Sequence, residues 1–545
     1  MKHLILAVTF LLISGSAMCQ EHHSTDQTKK AELIYGMGDH HPPVSTTNPD
    51  AQRFFNQGLI LIYAFNHDEA VRSFKRAAEL DPNLAMAYWG IALALGANIN
   101  LPADPEREKA AYEAIQKAIQ LSANAPDQEK AYINAMAKRY SNDPEADLNK
   151  LALDYKNAMG ELAKNYPDDL DAATLYAESM MNLRPWQLWN KDGTPAEGTE
   201  EIILVLESVL DRNPDHIGAN HYYIHAVEAS STPGRALPSA ERLKTLAPSA
   251  GHLVHMPAHI YMRTGDYKSA VQANLEGAEA DRDYIKNGGV KGIYPLMYYS
   301  HNLHFLSVAH AMQGRYLDAK RAADQLGEHV GPHVKEMPML EFFMPTSTLI
   351  MVRFGRWDDI LASPKPDSGM LITTAMWHFA RGMAYAAADK VNEAEDERTQ
   401  FASVAKTVPG DATWDLNSAN SVLNIAGMVL DARVALARGD KRSAIEILRK
   451  AAEAEDALNY AEPPGWYIPV RESLGAVLLL NGDYAEAEGV FRADLERNPR
   501  SGRSLFGLSE SLKAQGKEYS SQLVQKEFET AWKNADGPLK VEDLI

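Results

Sequence analysis

The sequence predicts an all-α fold, a superhelical solenoid of helix hairpins, and three observations carry that prediction. From Ala51 to about residue 535 apolar side chains recur every three or four positions, and Ala, Leu, Glu and Lys dominate. No alternating strand pattern or Asn-Gly hairpin signal competes with this period. The helices also come in pairs with a fixed internal grammar. Gly58, Ala70, Phe74, Ala77 and Pro82 form one set, and Gly475, Ala487, Phe491 and Pro499, with Leu474, form another. In both sets Phe follows the second-helix Ala by four residues, Pro follows it by twelve, and Gly precedes it by twelve. Small residues let paired helices approach, the aromatic fills the gap, and Pro stops the second helix.

The elements follow in chain order. Lys2 and His3 precede an apolar run from Leu4 to Ile13 and the small residues Ser14 to Ala17, so residues 1–19 are expected to be an export signal. The single cysteine, Cys19, lies where cleavage should fall. Either a peptidase leaves Gln20 as the first mature residue, or Cys19 becomes a lipidated N-terminus. Ser16 and Met18 stand where a lipobox wants Leu and a small residue. The expected location is the periplasm, the inner face of an outer membrane or the outside. Cleavage after Cys19 would remove disulfides, Cys-based zinc sites and Cys nucleophiles from consideration. Residues 20–50, with Gly36, Gly38, Pro42, Pro43 and Pro49, read as an extended arm. Residues 51–320 read as an N-terminal repeat array and 321–545 as a plainer C-terminal one.

The turn-plus-Ala signature recurs as Gly265-Asp266-Tyr267 before Ala270, Gly314-Arg315-Tyr316 before Ala319, Gly439-Asp440 before Ala444 and Gly482-Asp483-Tyr484 before Ala487. Gly355-Arg356-Trp357 keeps the turn but has Ile360 in place of the Ala. This grammar resembles the tetratricopeptide repeat, whose period is about 34 residues. The resemblance implies a concave face lined by the first helix of each pair, a surface that takes a peptide, a protein or a small ligand. Residues 38 to 320 also resemble a group of exported bacterial tetratricopeptide proteins, through DHHPPVST, FNQGL, YAFNHDEA, AMAYWGIALALG, HYYIHAVEAS and HLVHMPAHIYMRTGDY. Two stretches interrupt the period, Arg184–Gly198 with Trp186 and Trp189, and Asp281–Pro295 with three glycines. The two tryptophans are expected to pack the inserted loop.

The chain has 18 His, and nine of them lie between His216 and His310. His221 and His225 are four apart, as are His255 and His259, so each pair shares a helix face. His252 lies three before His255, and His301 three before His304. From 221 to 255 and from 225 to 259 is 34 residues, one full repeat. His221, His255 and His304 each lie fifteen residues before the Ala of the next helix, and His252 and His301 each lie eighteen before it. Seven His therefore hold equivalent positions on three successive first helices, from which their imidazoles can converge on one point.

Three readings of this cluster stay open. One is a site for a single transition metal, with ligands drawn from His221, His225, His252, His255, His259, His301 and His304 and a carboxylate from Glu228 or Glu178. Such ligation fits zinc, copper or ferrous iron and does not fit calcium or magnesium. The second is a polar groove for an organic anion or peptide, and the third is a structural His network. A metal here would support binding of a ligand or partner. Alternatively, the metal would serve a hydrolase or oxidoreductase, with Glu228 or Glu178 as ligand or general base. A pure envelope scaffold is the third function class. His216 and His67 are expected near helix caps, and His40 and His41 on a solvated arm. No phosphate loop, Gly-x-Ser-x-Gly elbow or nucleotide fingerprint is present, so no nucleotide cofactor is expected. A net charge of −19 disfavours nucleic acid, and no apolar run after the signal is long enough to span a bilayer.

Overall fold

The computed structural model describes residues 30–102 and 104–545. The expected export signal, with Cys19, lies outside the described residues. Helix pairs run from Pro49–Tyr63 with His67–Leu80 to Gly502–Ala514 with Glu518–Ala531. Their starts are set locally. Asn48 caps the first helix by accepting from the backbone N–H of Asp50 and Ala51, with Pro49 at the first helical position. Gly265 takes a left-handed φ of 76°, and Asp266 then accepts from Ser269 N–H to open the next helix. The Gly-Asp signature is therefore a stop followed by a cap.

The aromatic of the repeat grammar sits where the sequence places it. Phe74 is fully buried against two glycines; a Cβ at Gly58 would come within 2.6 Å of its ring and one at Gly90 within 2.5 Å. Phe491 repeats this between Gly475 and Gly507, at 2.5 and 2.2 Å. The same ring thus touches the first helix of its own hairpin and that of the next, which stacks successive hairpins.

The winding is tight. The Ile217–Val227 helix packs against Pro49–Tyr63, so the inner face of the N-terminal hairpins is filled by side chains. The C-terminal hairpins come back across the N-terminal ones. Tyr267 donates to the Pro499 carbonyl at 2.9 Å and Arg315 to the Asn534 carbonyl at 3.2 Å. Between them lies a cleft of about 1530 Å³, walled by residues 182–193 on one side and 455–471 on the other.

Other elements depart from the sequence reading for identifiable reasons. Thr413–Trp414 pairs with Asn417–Ser418 as a minimal antiparallel hairpin; two-residue strands carry no period to detect. The Tyr267–Gly288 helix continues through Asp281, whose buried carboxylate accepts from Tyr294 and Asn302, so only the later part of the second expected interruption is irregular. The arm is pinned down. Ile34 N–H donates to Gln57 at 2.7 Å, Ser249 N–H donates to the Gly36 carbonyl at 3.1 Å, and Ser45 donates twice to Glu129 at 2.6 Å.

Candidate metal centre

Two helices and a helix pair broken at Pro257 bring six imidazoles together. His221 and His225 project from Ile217–Val227, His252 and His255 from Gly251–His255, His259 from Pro257–Thr264 and His301 from Ser300–Met312. They form two triads rather than the single convergence point expected. In one, His221, His225 and His252 offer nitrogens that all lie within 4.8 Å of one another; in the other, His255, His259 and His301 do the same. The triads adjoin, with His225 and His259 ring centroids 5.7 Å apart and His252 and His255 5.9 Å apart. All these rings are buried except His301, which is half-buried. The expected open concave groove is closed at this point.

Each triad packs on one phenylalanine. Phe65 lies 4.7, 5.8 and 5.6 Å from the rings of His221, His225 and His252. Its φ of 54° is a left-handed conformation uncommon outside glycine, at a helix end where glycine is usual. A glycine there would relieve strain and leave the imidazoles without their apolar wall. Phe305 does the same for His255, His259 and His301, at 4.9, 4.8 and 5.1 Å.

The hydrogen bonds fix the tautomers. His221 Nδ1 is 2.6 Å from the Tyr63 carbonyl, which only accepts, so this nitrogen carries the proton. His225 Nδ1 donates to Glu228 Oε1 at 2.7 Å and His259 Nδ1 donates to Glu228 Oε2 at 2.5 Å. His255 Nδ1 lies 2.7 Å from Asn274 Oδ1, whose amide is oriented because its Nδ2 donates to the Ala270 carbonyl. In neutral His221 and His225 the Nε2 then keeps its lone pair, while the Nε2 atoms of His255 and His259 face each other at 2.9 Å. The Nε2 atoms of His221 and His225 are buried without a partner, as are both nitrogens of His252. An imidazole that donates Nδ1–H to a carbonyl or carboxylate and turns a bare Nε2 inward has the form of a metal ligand held by its outer shell.

Burial disfavours the protonated form of His221, His225, His252, His255 and His301. Burial drives His221, His252, His255 and His301 well below the ordinary histidine range, with neighbouring imidazoles adding to the shift. Burial also lowers His225, against the pull of Glu228. For Glu228 burial alone raises the carboxyl, but His259 and His225 outweigh it and bring it to about 2. Glu228 thus remains an anion with both oxygens engaged.

The other expected residues lie elsewhere. His304 belongs to neither triad; its ring packs on Phe342, Phe343 and Tyr467, and burial takes it down to about 3. Glu178 accepts from Asn182 and has burial and the Arg139 charge acting on it in opposite directions. His216 caps its own helix, accepting from Ala219 N–H, and His310 is half-buried outside both triads. His67 contacts the Ala94 carbonyl, and Asn66 is the cap. His41 is exposed, but His40 is not on a solvated arm. Its Nε2 lies 2.8 Å from Asp171 Oδ1, beside His216 and the Tyr63 hydroxyl, in a third group able to hold an ion.

The centre lies beneath the cleft. Trp186 packs edge-on to His225 at 5.4 Å, and Trp189 donates to the Ala226 carbonyl at 2.8 Å, so the inserted loop seats on the first triad. A small cavity touching His225 and Glu228 shares Ile99, Trp186, Trp189, Ala229 and Tyr460 with the large cleft. Tyr460 donates to Glu462, and burial raises that carboxyl to about 7. Sequence reasoning had no signal for Tyr460, Glu462, Asn274, Phe65 or the Tyr63 carbonyl as neighbours of the His.

No curated protein matches this sequence. Among solved structures the chain is similar to a human IFIT1 dimer with m7Gppp-AAAA, at 13% identity over 90% of this chain and 91% of that one, with a TM-score of 0.34. It is also similar to yeast Tom70, at 10% identity over 89% and 93%, with a TM-score of 0.30, and to the P58(IPK) TPR domain, at 12% identity over 86% and 99%, with a TM-score of 0.23. Residues 51–84 match the tetratricopeptide repeat family. That segment spans the first hairpin, and the hairpin around Phe491 reuses its Gly-Phe packing, so the chain carries a tetratricopeptide repeat at residues 51–84.

Proposed function

We propose that this chain is an exported binding protein that holds a transition metal in its His triads and takes a small ligand or a peptide segment in the cleft above them. One observation carries the reading: the Nε2 atoms of His221 and His225 and both nitrogens of His252 are buried without a partner, and the Nε2 atoms of His255 and His259 face each other at 2.9 Å. A purely structural network would pair those lone pairs with donors, because an unmet buried acceptor costs about 1–3 kcal/mol. Neutral nitrogen donors suit zinc, copper or ferrous iron. The charged start, apolar run and small residues of the first 19 positions read as an export signal, and that reading supports a location beyond the inner membrane. No helix among the described residues is long and apolar enough to cross a membrane.

The test is elemental analysis of purified mature protein, before and after incubation with each ion. His225→Ala and His259→Ala should abolish bound metal and leave helicity intact. A preparation that stays metal-free with every ion would end the metal reading, and loss of fold in the variants would favour a structural network. A second reading is favoured by the ligand count. Three protein ligands leave a zinc-like ion one open position, the arrangement of catalytic rather than structural sites, and the cleft leads toward it. In that reading the chain is a metal-dependent enzyme, in which Glu228 orients ligands.

A further inference from the structure

We propose that the centre is dinuclear, with one transition-metal ion held by His221, His225 and His252 and a second by His255, His259 and His301. This rests on the metal reading above. The repeat itself argues for two sites. The first triad is an i, i+4 pair, His221 and His225, joined by His252 from the next hairpin. The second is the pair 34 residues on, His255 and His259, joined by His301 from the hairpin after that. His252 and His301 occupy the same register, each three residues before the next equivalent His. The second triad is therefore the first displaced by one repeat.

The same register explains where the series ends. His304 is the equivalent of His221 and His255, but four residues further on stands Val308 instead of a histidine. A third pair is missing, and His304 lies among aromatic rings, outside both triads. Each complete triad also has its own phenylalanine wall, Phe65 or Phe305. Glu228 is the shared element: one oxygen orients His225 in the first triad and the other orients His259 in the second. A carboxylate used this way couples the two positions, because an ion bound on one side draws charge from the anion that supports the other.

The experiment uses the full mature chain, stripped of metal and titrated separately with zinc and with copper. Bound ions are counted by elemental analysis after desalting, with helicity followed by circular dichroism. His252→Ala and His301→Ala each remove one imidazole from one triad. His252 has neither nitrogen hydrogen-bonded, so its loss breaks no supporting bond. The expected result is two equivalents for the wild type, one tight equivalent for each single variant and none for the double variant. One equivalent in the wild type, abolished by either substitution, would overturn the dinuclear proposal and leave a mononuclear centre. No equivalent with any ion would remove the metal reading together with the proposal.

Discussion

His255 Nε2 lies 2.9 Å from His259 Nε2, while the Nδ1–H of each ring points away to an oxygen acceptor, Asn274 for one and Glu228 for the other. With both Nδ1 atoms carrying protons, two neutral rings present two lone pairs to each other in a buried site. A cation between them, or a proton on one of them, relieves that repulsion. Only the cation leaves every hydrogen bond around the pair unchanged and both rings neutral.

Glu228→Gln tests how the triads are oriented. The amide keeps the shape, but its nitrogen cannot accept, so one of His225 and His259 must change tautomer and lose its inward lone pair. Metal affinity is expected to fall about 10- to 100-fold, the usual cost of losing an outer-shell partner. Chelator competition on wild type and variant checks this; unchanged affinity would show that Glu228 is not an orienting residue.

The metal-free protein should be acid-labile. His221, His252, His255 and His301 lie well below their ordinary value when folded and return to about 6.5 when unfolded. The unfolded chain then binds more protons than the native one, so stability rises with pH and is lost as pH falls below about 6.5. Each such ring contributes a slope on the order of 1.4 kcal/mol per pH unit in that window. Urea unfolding of stripped protein between about pH 5 and 8 reads the slope, and His252→Ala should flatten it. A profile level across the window would contradict the burial of neutral rings.

Glu472 is buried between two arginines from neighbouring helices. It pairs with Arg353 at 3.1 Å and Arg503 at 2.7 Å, and the side chains of Glu472 and Arg353 are each only 1% exposed. Glu472→Ala leaves two buried guanidinium groups without their carboxylate and should cost about 3–5 kcal/mol. Chemical denaturation measures the loss; a change below about 1 kcal/mol would mean that water or a rearranged partner takes over.

Gly475→Ala tests the repeat packing. The new Cβ would stand 2.5 Å from the Phe491 ring, which is itself wedged against Gly507. The ring has no free direction, so a loss of about 1–3 kcal/mol is expected from thermal or chemical unfolding. An unchanged midpoint would show that the hairpins slide apart at little cost.

Much of this was legible in the sequence, because the repeat writes it locally. Gly58, Phe74, Gly475 and Phe491 announce helix stacking at fixed spacing, and the 34-residue offset of the His pairs puts them on neighbouring helices. The division into two triads was not legible. It depends on the offset between Ile217–Val227, Gly251–His255 and Ser300–Met312, which spacing along one chain does not set. The role of Glu228 was half-legible: its i+3 position beside His225 is local, but its bond to His259 crosses 31 residues. Tyr460 reaches the centre only because the C-terminal hairpins fold back, and no local pattern encodes that return.

X-ray absorption at the metal edge of the loaded full chain tests the central claim most directly. A shell of about three imidazole nitrogens per ion at roughly 2.0–2.1 Å, lost together in His225→Ala/His259→Ala, is the predicted result. An oxygen-dominated shell, or one that survives those substitutions, would contradict it.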